Sequence, residues 1–426
     1  MRGLHTYIAV SALALASVSV AARQGAVAQQ SGQEQGQGQA QGQGQGPGRG
    51  GGRGNQPARV AIKPGEECPP GMTQARYLSC QAPEKPAPSI VDYRPKSTVV
   101  APQHLVPKAK FPAIDIHNHT RINAENIEQM IKEMDELNLR VVNNLTAGSG
   151  AQLKESVDFI RNSKYKDRFT VFANVRWTGA GTPEWRNREV AALKQAFKDG
   201  AIGLKIVKGL GLSDTKADGS RLKIDDPDLD PIWQTCAEAN VPVVIHTADP
   251  EQFFAPIDMH NERWLELGIY PNRAYPQDKF PSFETLMTER DNMFRRNPKT
   301  RYIAAHFAWH GNDLARAARM LDTMPNVFLE VGAVLYEFGR QPHASREFFI
   351  KYQDRILFGK DAWEKTEFPY YFRVFETNDE YFDYYRDYHA FWKLYGVGLP
   401  DPVLKKLYYK NALKVVPGLP QTGWPQ

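Results

Sequence analysis

The sequence predicts an α/β protein whose main domain is a distorted barrel of eight parallel strands covered by helices. Between residues 111 and 417, eight short apolar runs alternate with longer stretches of helical periodicity. The runs are nearly continuous in hydrophobicity, as parallel strands buried on both faces are. The count of eight and the length of the region favour one closed barrel. An open doubly wound sheet is the alternative, but it would need a glycine-rich phosphate loop after its first strand, and "HNHTRI" is not one.

The eight strands are expected in order along the chain, each ending close to a polar residue. They are "AIDIH" (113–117), "RVVNNL" (140–145), "FTVFANV" (169–175), "AIGLKIV" (201–207), "VPVVIH" (241–246), "RYIAAH" (301–306), "NVFLEV" (326–331) and "RILFGK" (355–360). Helical stretches between them, such as "REVAALKQAFKDG" and "NDLARAARMLDTMP", end at Gly or Pro, as helices commonly do.

Two connections are too long for a single helix, one covering 247–300 and the other 362 to about 400. These long insertions follow strands five and eight, at the strand ends where barrel enzymes keep their sites, so both are candidate lids. The second insertion is rich in aromatic residues, which would equally serve to pack it onto the helices. Both interpretations stay open at this stage.

The first 57 residues do not have the composition of a folded domain. Residues 1–28 contain a basic residue, a short apolar run and the sequence "AVA", which is the layout of a cleaved secretory signal peptide. A retained N-terminal anchor is the alternative. Residues 29–57 form a Gln/Gly-rich linker, expected to be disordered because it has too few apolar side chains to fold. We therefore expect a periplasmic or secreted protein without a stable membrane span after signal cleavage.

Residues 58–110 are rich in proline and lack a periodic pattern, which predicts an extended arm before the barrel domain of residues 111–417. Cys68 and Cys80 lie in this arm, and in an exported chain such a pair more often forms a disulfide than binds metal. The third cysteine, Cys236, lies in an apolar helical context and is expected to be a buried, unreactive thiol.

The charge distribution argues against a nucleic-acid partner. The chain has a net charge of +5, but four of these five charges lie in residues 1–60. The remainder is nearly neutral and offers no basic surface for a nucleic acid. The partner that we expect is a small-molecule substrate, and association into a homo-oligomer is left open.

If the eight strands form a barrel, the polar residues at their carboxyl ends point to one place. Four of the ten histidines lie at these ends. The residues are His117 and His119 of strand one, Asn144 of strand two, Arg176 of strand three, Lys205 of strand four, His246 of strand five, His306 of strand six, Glu330 of strand seven and Asp361 of strand eight.

His117 and His119 are two residues apart on a strand, so both side chains can face the barrel mouth and share one ion. A His-x-His pair by itself is more often a pair of hydrogen-bonded histidines at a strand end. His246, His306 and Asp361 change this balance, because burying so many ionisable groups is costly unless they are paired or bind metal. Imidazoles and a carboxylate suit zinc first, and manganese or another transition ion second.

At these residues the sequence resembles the amidohydrolase superfamily. The resemblance is to the amidohydrolase-related branch, which contains aminocarboxymuconate-semialdehyde decarboxylase, resorcylate-type decarboxylases and several lactone or amide hydrolases. It runs from about 111 to 417 and rests on "IDIHNH", "GLKIV", "VPVVIH", "IAAHFAWH", "ILFGKDAW" and "YYKNALKVV".

The resemblance implies a distorted (β/α)8 barrel in which His117, His119, His246 and Asp361 surround one metal ion. It also implies that His306 acts on the substrate or on metal-bound water as an acid, base or electrophile. Asp361 is then expected to serve as general base as well as ligand.

Three positions leave questions within this resemblance. Lys360 stands where a small hydroxyl residue is expected, and it would compete with a metal for Asp361 or bind a substrate carboxylate. Lys205 occupies the strand on which two-metal members carry a carbamylated lysine, although we expect a single metal here. Asp115 lies one layer below the histidine pair, where it would orient a ligand or be a satisfied core carboxylate.

Three functions are compatible with this site. The first is a metal-dependent hydrolase that opens an amide, ester or lactone bond through a metal-activated water. The second is a non-oxidative decarboxylase or hydratase of an aromatic or unsaturated acid, in which Arg176, Arg340 or Lys360 would bind acidic groups. The third is a barrel kept as a non-catalytic binding protein. Export mildly favours hydrolysis.

Overall fold

A computed structural model describes residues 58–389 and 392–425 of the chain. The signal peptide and the linker predicted for residues 1–28 and 29–57 lie outside the described residues. The chain divides into two compact units, one ending at Ala87 and the other running from Pro88 to Gln426. Residues 88–110 therefore belong to the same unit as the barrel.

The described part of the first unit is a small antiparallel sheet. Its strands are Arg59–Ala61, Thr73–Arg76 and Ser79–Gln81, and the last of these lies in the middle. Cys68 and Cys80 form a disulfide with their Cα atoms 5.7 Å apart, as predicted. A unit this small buries little apolar surface, so a covalent link is a common means of holding it folded.

The second unit contains the eight predicted barrel strands, and each overlaps the run from which it was predicted. Their bounds are Ala113–Asn118, Leu139–Asn144, Phe169–Val171 continued by Ala173–Asn174, Leu204–Ile206, Val243–Ile245, Tyr302–Ala304, Val327–Glu330 and Ile356–Leu357. All neighbouring pairs are parallel. The predicted α/β fold is confirmed, and the break in strand three is one of its distortions.

The barrel closes between strands eight and one. The N–H of Ile116 donates to the carbonyl of Phe358 (3.1 Å), and the N–H of Asp361 donates to the carbonyl of His117 (2.7 Å). The N–H of His119 in turn donates to the carbonyl of Asp361 (3.0 Å). The barrel is therefore closed at the carboxyl ends of its strands, where the predicted site lies.

Helices cover the outside of the barrel and bury one apolar face each. In the first, the buried residues follow the spacing of one helix face and are Ile127, Met130, Ile131, Met134 and Leu137. The covering helices are Ile127–Leu137, Ala151–Asn162, Pro183–Asp199, Asp230–Glu238, Phe283–Arg296, Leu314–Thr323, Pro342–Lys351, and Asp401–Lys405 with Asn411–Val415, joined through a π-helical turn at Lys406–Lys410. Among the described residues, no helix is both long enough and apolar enough to cross a bilayer.

Insertions follow strands five and eight, as predicted. The first lies in the 247–300 connection and contains a short helix, Trp264–Ile269, and single turns, which lead into the barrel helix Phe283–Arg296. The second contains the helix Phe368–Glu376 and a two-stranded ribbon of Phe382–Asp383 and Lys393–Leu394. Short helices at Gly209–Leu212 and Leu335–Arg340 complete the fold.

The two insertions meet each other. A carboxylate oxygen of Glu266 lies 3.2 Å from Nε2 of His389, and both side chains are buried. Many aromatic residues of the second insertion serve for packing, since the rings of Phe368 and Phe372 lie against Phe358 of the barrel. The packing interpretation therefore accounts for the helix of this insertion.

Gly359 is expected to be required where strand eight passes strand one. A methyl group at this position would lie 2.8 Å from Cβ of His117 and 2.5 Å from a carboxylate oxygen of Glu330. We predict that Gly359→Ala lowers the free energy of unfolding by about 1–3 kcal/mol through overpacking, measured by urea titration. The matched control is Gly268→Ala, whose added methyl group would meet nothing closer than 3.9 Å. Equal stability of the two variants would contradict the prediction.

Candidate metal centre

The side chains predicted to converge do so at the carboxyl ends of the barrel strands. Nε2 of His117 lies 3.2 Å from Nε2 of His119 and 3.0 Å from Nζ of Lys205. The same nitrogen is 3.3 Å from Oδ1 of Asp361, which is 3.6 Å from Nε2 of His119. Strands one, four and eight thus bring four polar groups to one point.

Strands five and six supply the other half of the cluster. Nε2 of His306 lies 3.3 Å from Nδ1 of His246. The rings of His306 and His117 are 5.0 Å apart between centroids. One donor atom each from His117, His306 and Asp361 lies within 4.8 Å of the other two. The six groups form one continuous cluster.

Three of the four imidazoles hydrogen-bond an outer partner through one nitrogen, and the fourth, His246, has a carboxylate near its outer nitrogen, so the other nitrogen of each ring faces the cluster. The outer contacts are His117 Nδ1 with Glu330 Oε1 (2.9 Å), His119 Nδ1 with Thr146 Oγ1 (2.9 Å), His246 Nε2 with Asp249 Oδ1 (3.5 Å) and His306 Nδ1 with the carbonyl of Gly332 (2.9 Å). A proton held on the outer nitrogen leaves the inner one with a free lone pair, as in carboxylate–histidine–metal arrangements.

Glu330 organises two of these strand ends. Its buried carboxylate accepts from the ring of His117, from the N–H of His306 (2.5 Å) and from the N–H of Gly332 (2.6 Å). Burial raises the pKa of Glu330, although these hydrogen bonds act in the opposite direction. The sequence placed Glu330 at the end of strand seven but did not indicate this role.

Asp115 is a satisfied core carboxylate, which is one of the two roles considered for it. Its Oδ1 accepts from the backbone N–H groups of His117 (3.2 Å) and Lys360 (3.0 Å), and its Oδ2 accepts from the amide of Asn118 (2.8 Å). The carboxylate is therefore satisfied, and it also ties strand one to strand eight beside the cluster. Burial raises the pKa of Asp115 to about 7.

The electrostatic environment keeps the imidazoles neutral. Burial, followed by the charge of His246, lowers the pKa of His306 to about 4. Burial and the charge of Lys205 lower the pKa of His119 to about 4, and they also lower the pKa of His117. Burial likewise lowers the pKa of His246. Neutral imidazole is the form that binds metal ions.

Lys205 and Asp361 are the charged groups of the cluster, and the pKa of each lies below its usual value. Burial lowers the pKa of Lys205 to about 8. Burial would raise the pKa of Asp361, but the neighbouring imidazoles, His306 first among them, bring the pKa below its usual range. Asp361 therefore stays ionised beside nitrogen ligands that carry lone pairs. This donor set fits a divalent ion of the zinc type.

A left-handed turn of four residues holds the end of strand six. His306, Phe307, Ala308 and Trp309 have φ angles of 55°, 56°, 58° and 54°. The left-handed conformation costs about 1–2 kcal/mol for each residue other than glycine. The guanidinium of the buried Arg290 supports the turn by donating to the carbonyl of Ala308 (2.9 Å).

Backbone strain is also present at three other strand ends. Ala248, Ala333 and Asp361 have φ angles of 61°, 60° and 86°. They follow strands five, seven and eight, around the same cluster. Strain concentrated in this way is common at functional sites.

The cations predicted to bind acidic substrate groups are engaged elsewhere. Nε of the exposed Arg176 lies 3.9 Å from Glu189. Arg340 pairs with two carboxylates, Glu262 at 2.9 Å and Glu337 at 2.6 Å.

Lys360 is buried and pairs with Glu367. Within the described residues, no ion pair joins its ammonium to Asp361, so the expected competition for that carboxylate is absent from the structure. Binding of substrate by Arg176, Arg340 or Lys360 stays a prediction. Cys236 is free and buried, and burial raises its pKa, as expected of an unreactive thiol.

Comparison with known families decides the identity of the barrel. The family model described as "Amidohydrolase" matches residues 114–418, which cover the whole barrel. The chain belongs to the amidohydrolase family. Members of this family are metal-dependent enzymes, so the predicted family, barrel and enzyme class are confirmed. The binding-protein alternative loses its support.

Several known structures match this amidohydrolase at low identity. They include an uncharacterised TIM-barrel protein from Bordetella bronchiseptica, 15% identical over 69% of this chain and 83% of that one, with a TM-score of 0.44. A putative amidohydrolase from Staphylococcus aureus is 16% identical over 72% and 99%, with a TM-score of 0.43. A 5-carboxyvanillate decarboxylase from Novosphingobium aromaticivorans, complexed with manganese, is 17% identical over 68% and 79%, with a TM-score of 0.42. None of the curated proteins compared with the chain matches it.

Removing the charge of Glu330 is predicted to weaken metal binding. Glu330→Gln replaces the carboxylate that orients the His117 ring, and losing such an outer partner typically costs 10–100-fold in affinity. We expect about this loss of zinc affinity in a competition titration with a chromophoric chelator. The control is Glu289→Gln, which alters a buried carboxylate paired with Arg221. Unchanged zinc affinity in the Glu330 variant would show that the carboxylate has only a structural role.

Proposed function

We propose that this amidohydrolase is an exported hydrolase that acts on an amide, ester or lactone bond of a small molecule. One observation carries the proposal: four imidazoles and one carboxylate, that of Asp361, form a continuous cluster at the carboxyl ends of the barrel strands. Such a set of donors in a barrel mouth fits one divalent ion with a coordination position left for substrate or water.

His117, His119, His246 and Asp361 would hold the ion, for which zinc is our first choice and manganese the second. A bound divalent ion would act as a Lewis acid and lower the pKa of a water molecule. His306 is the alternative ligand, because its inner nitrogen is close to His117 and Asp361. We assign it to proton transfer instead, because the resemblance to the amidohydrolase-related branch implies that role; its Nδ1 donates to the carbonyl of Gly332, which leaves Nε2 as the acceptor.

Asp361, His306 and Lys205 would then each have a separate role in hydrolysis. Asp361 is one-third exposed and ionised, so it can accept a proton from the attacking water. His306 can accept a proton at Nε2 and return it to the leaving group. The ammonium of Lys205 lies beside His117, where it would stabilise negative charge that develops on the substrate.

The state of the surrounding cations supports hydrolysis over decarboxylation. In a decarboxylase or hydratase of an acid, Arg176, Arg340 or Lys360 was expected to bind acidic groups of the substrate. Arg340 and Lys360 are paired with protein carboxylates, and Arg176 lies near Glu189.

A metal-dependent decarboxylase or hydratase of an aromatic or unsaturated acid is the second candidate. One observation favours it, namely that Lys205 is a fully buried cation at the cluster itself. In that case Lys205 would bind the carboxylate that is lost, or one beside it.

Export to the periplasm or the medium is part of the proposal. The signal-like residues 1–28 support it, and so does the disulfide between Cys68 and Cys80, because such bonds persist in oxidising compartments. A fusion of residues 1–60 to a reporter that is active only after export tests this part. Absence of reporter activity in cells that produce the full-length fusion would refute it.

Zinc is predicted to stabilise the folded enzyme. A ligand that binds only the folded state at 100 times its Kd adds about 2.7 kcal/mol to the free energy of unfolding. We expect this gain on adding zinc to chelator-treated protein, measured by urea titration. The His119→Ala/His246→Ala variant is the control and should show no gain. Equal stability of the wild-type protein with and without zinc would contradict a metal centre.

His306→Asn is predicted to keep the metal and lose turnover. The zinc-loaded enzyme is first screened with lactones, anilides, aryl esters and phenolic acids, recording acid release and CO2 release separately. Removal of a general acid or base typically lowers the rate by about 10²–10⁴-fold, and we expect a loss in this range at unchanged zinc content.

The control is His343→Asn on the exposed surface of helix Pro342–Lys351. Loss of zinc from the His306 variant would reassign that residue as a ligand. CO2 release in place of acid release would favour the second candidate.

A further inference from the structure

Trp309 lies against the metal centre but has no part in the chemistry described so far. Its ring is stacked on His306, with 4.7 Å between centroids and a 28° angle between the planes. It also lies 5.9 Å from the ring of His246. Apart from the imidazoles themselves, it is the only aromatic side chain of the described residues in ring contact with the four histidines of the centre.

The indole N–H of Trp309 is buried and has no acceptor within the described protein. Other indoles of the chain donate to a protein oxygen: Trp185 to the carbonyl of Arg176 (2.7 Å) and Trp424 to that of Pro420 (2.8 Å). Trp233 shares the lack of an acceptor, but its ring packs on Tyr302 in the core. A buried donor gains free energy when a bound molecule supplies the missing acceptor.

The backbone at Trp309 has a strained, left-handed conformation. Trp309 is the last residue of the left-handed turn that begins at His306, and no glycine relieves it. The guanidinium of Arg290 donates a hydrogen bond to the carbonyl of Ala308 in this turn, and it also lies 3.0 Å from Nε2 of His310. The structure therefore retains a strained turn that keeps this indole at the centre.

We propose that Trp309 contacts the substrate. Its indole N–H donates a hydrogen bond to an oxygen of the molecule held at the metal centre, and its ring forms the wall beside His306. This inference rests on the proposed function. It identifies the substrate as a molecule with an acceptor oxygen next to the group that engages the metal, such as a carbonyl or carboxylate.

The test uses benzohydroxamate, a metal-binding probe with adjacent oxygens, on the full-length zinc-loaded protein. Nitrogen-15-labelled tryptophan gives one indole N–H resonance per ring, and the resonance missing from Trp309→Phe is that of Trp309. We expect this resonance to shift downfield when the probe is added, as a new hydrogen bond forms. The resonance of Trp424 should not move.

Binding of the same probe supplies the second readout. Trp309→Phe keeps an aromatic ring but lacks the donor, so Kd for benzohydroxamate should rise about tenfold at unchanged zinc content. Trp424→Phe should bind the probe as the wild type does. Trp309→His keeps a ring N–H and should recover part of the affinity; it also assigns the resonance if the phenylalanine variant does not fold.

The outcomes separate the two proposals. An unmoved Trp309 resonance together with equal Kd values would overturn the role of Trp309 and leave the metal centre intact. Failure of the wild-type protein to bind zinc would overturn the proposed function itself.

Discussion

Closure of the barrel between strands eight and one is the constraint on which the metal centre depends. The hydrogen bond from the N–H of Asp361 to the carbonyl of His117 joins the two chain segments that carry the carboxylate and the histidine pair. Asp115 strengthens the same junction by accepting from both strands. The donors of the centre meet because hydrogen bonds of the barrel itself fix their distance.

The cluster shows how a barrel can hold many ionisable groups in its interior. His117, Lys205 and Glu330 are almost completely buried, and each would be costly alone. Together they satisfy each other: the carboxylate of Glu330 orients the His117 ring, while Lys205 lies beside that ring's other nitrogen. The same contacts that offset the cost of burial also decide which nitrogen faces inward.

Much of the fold could be predicted from the sequence, because parallel strands buried on both faces appear as apolar runs that end abruptly in polar residues. The outer partners of the histidines could not, since Glu330 and His117 are 213 positions apart and meet only through the closed barrel. The left-handed turn could not be predicted either, because "HFAW" contains no glycine, the residue that usually adopts this conformation. The helix Phe283–Arg296 at the end of the connection after strand five was not recognised in the sequence, because Glu289 and Arg290 interrupt its buried apolar face.

The connection after strand five holds the centre from both of its ends. Asp249 at its beginning lies beside the His246 ring, and Arg290 near its end donates a hydrogen bond to the turn that carries His306. Loops of this kind are the part of a barrel enzyme that diverges fastest as new substrates are adopted. Here a change of loop length or packing would be transmitted to two imidazoles at once. A change of substrate through this connection would therefore have to preserve the contacts of Asp249 and Arg290 with the centre.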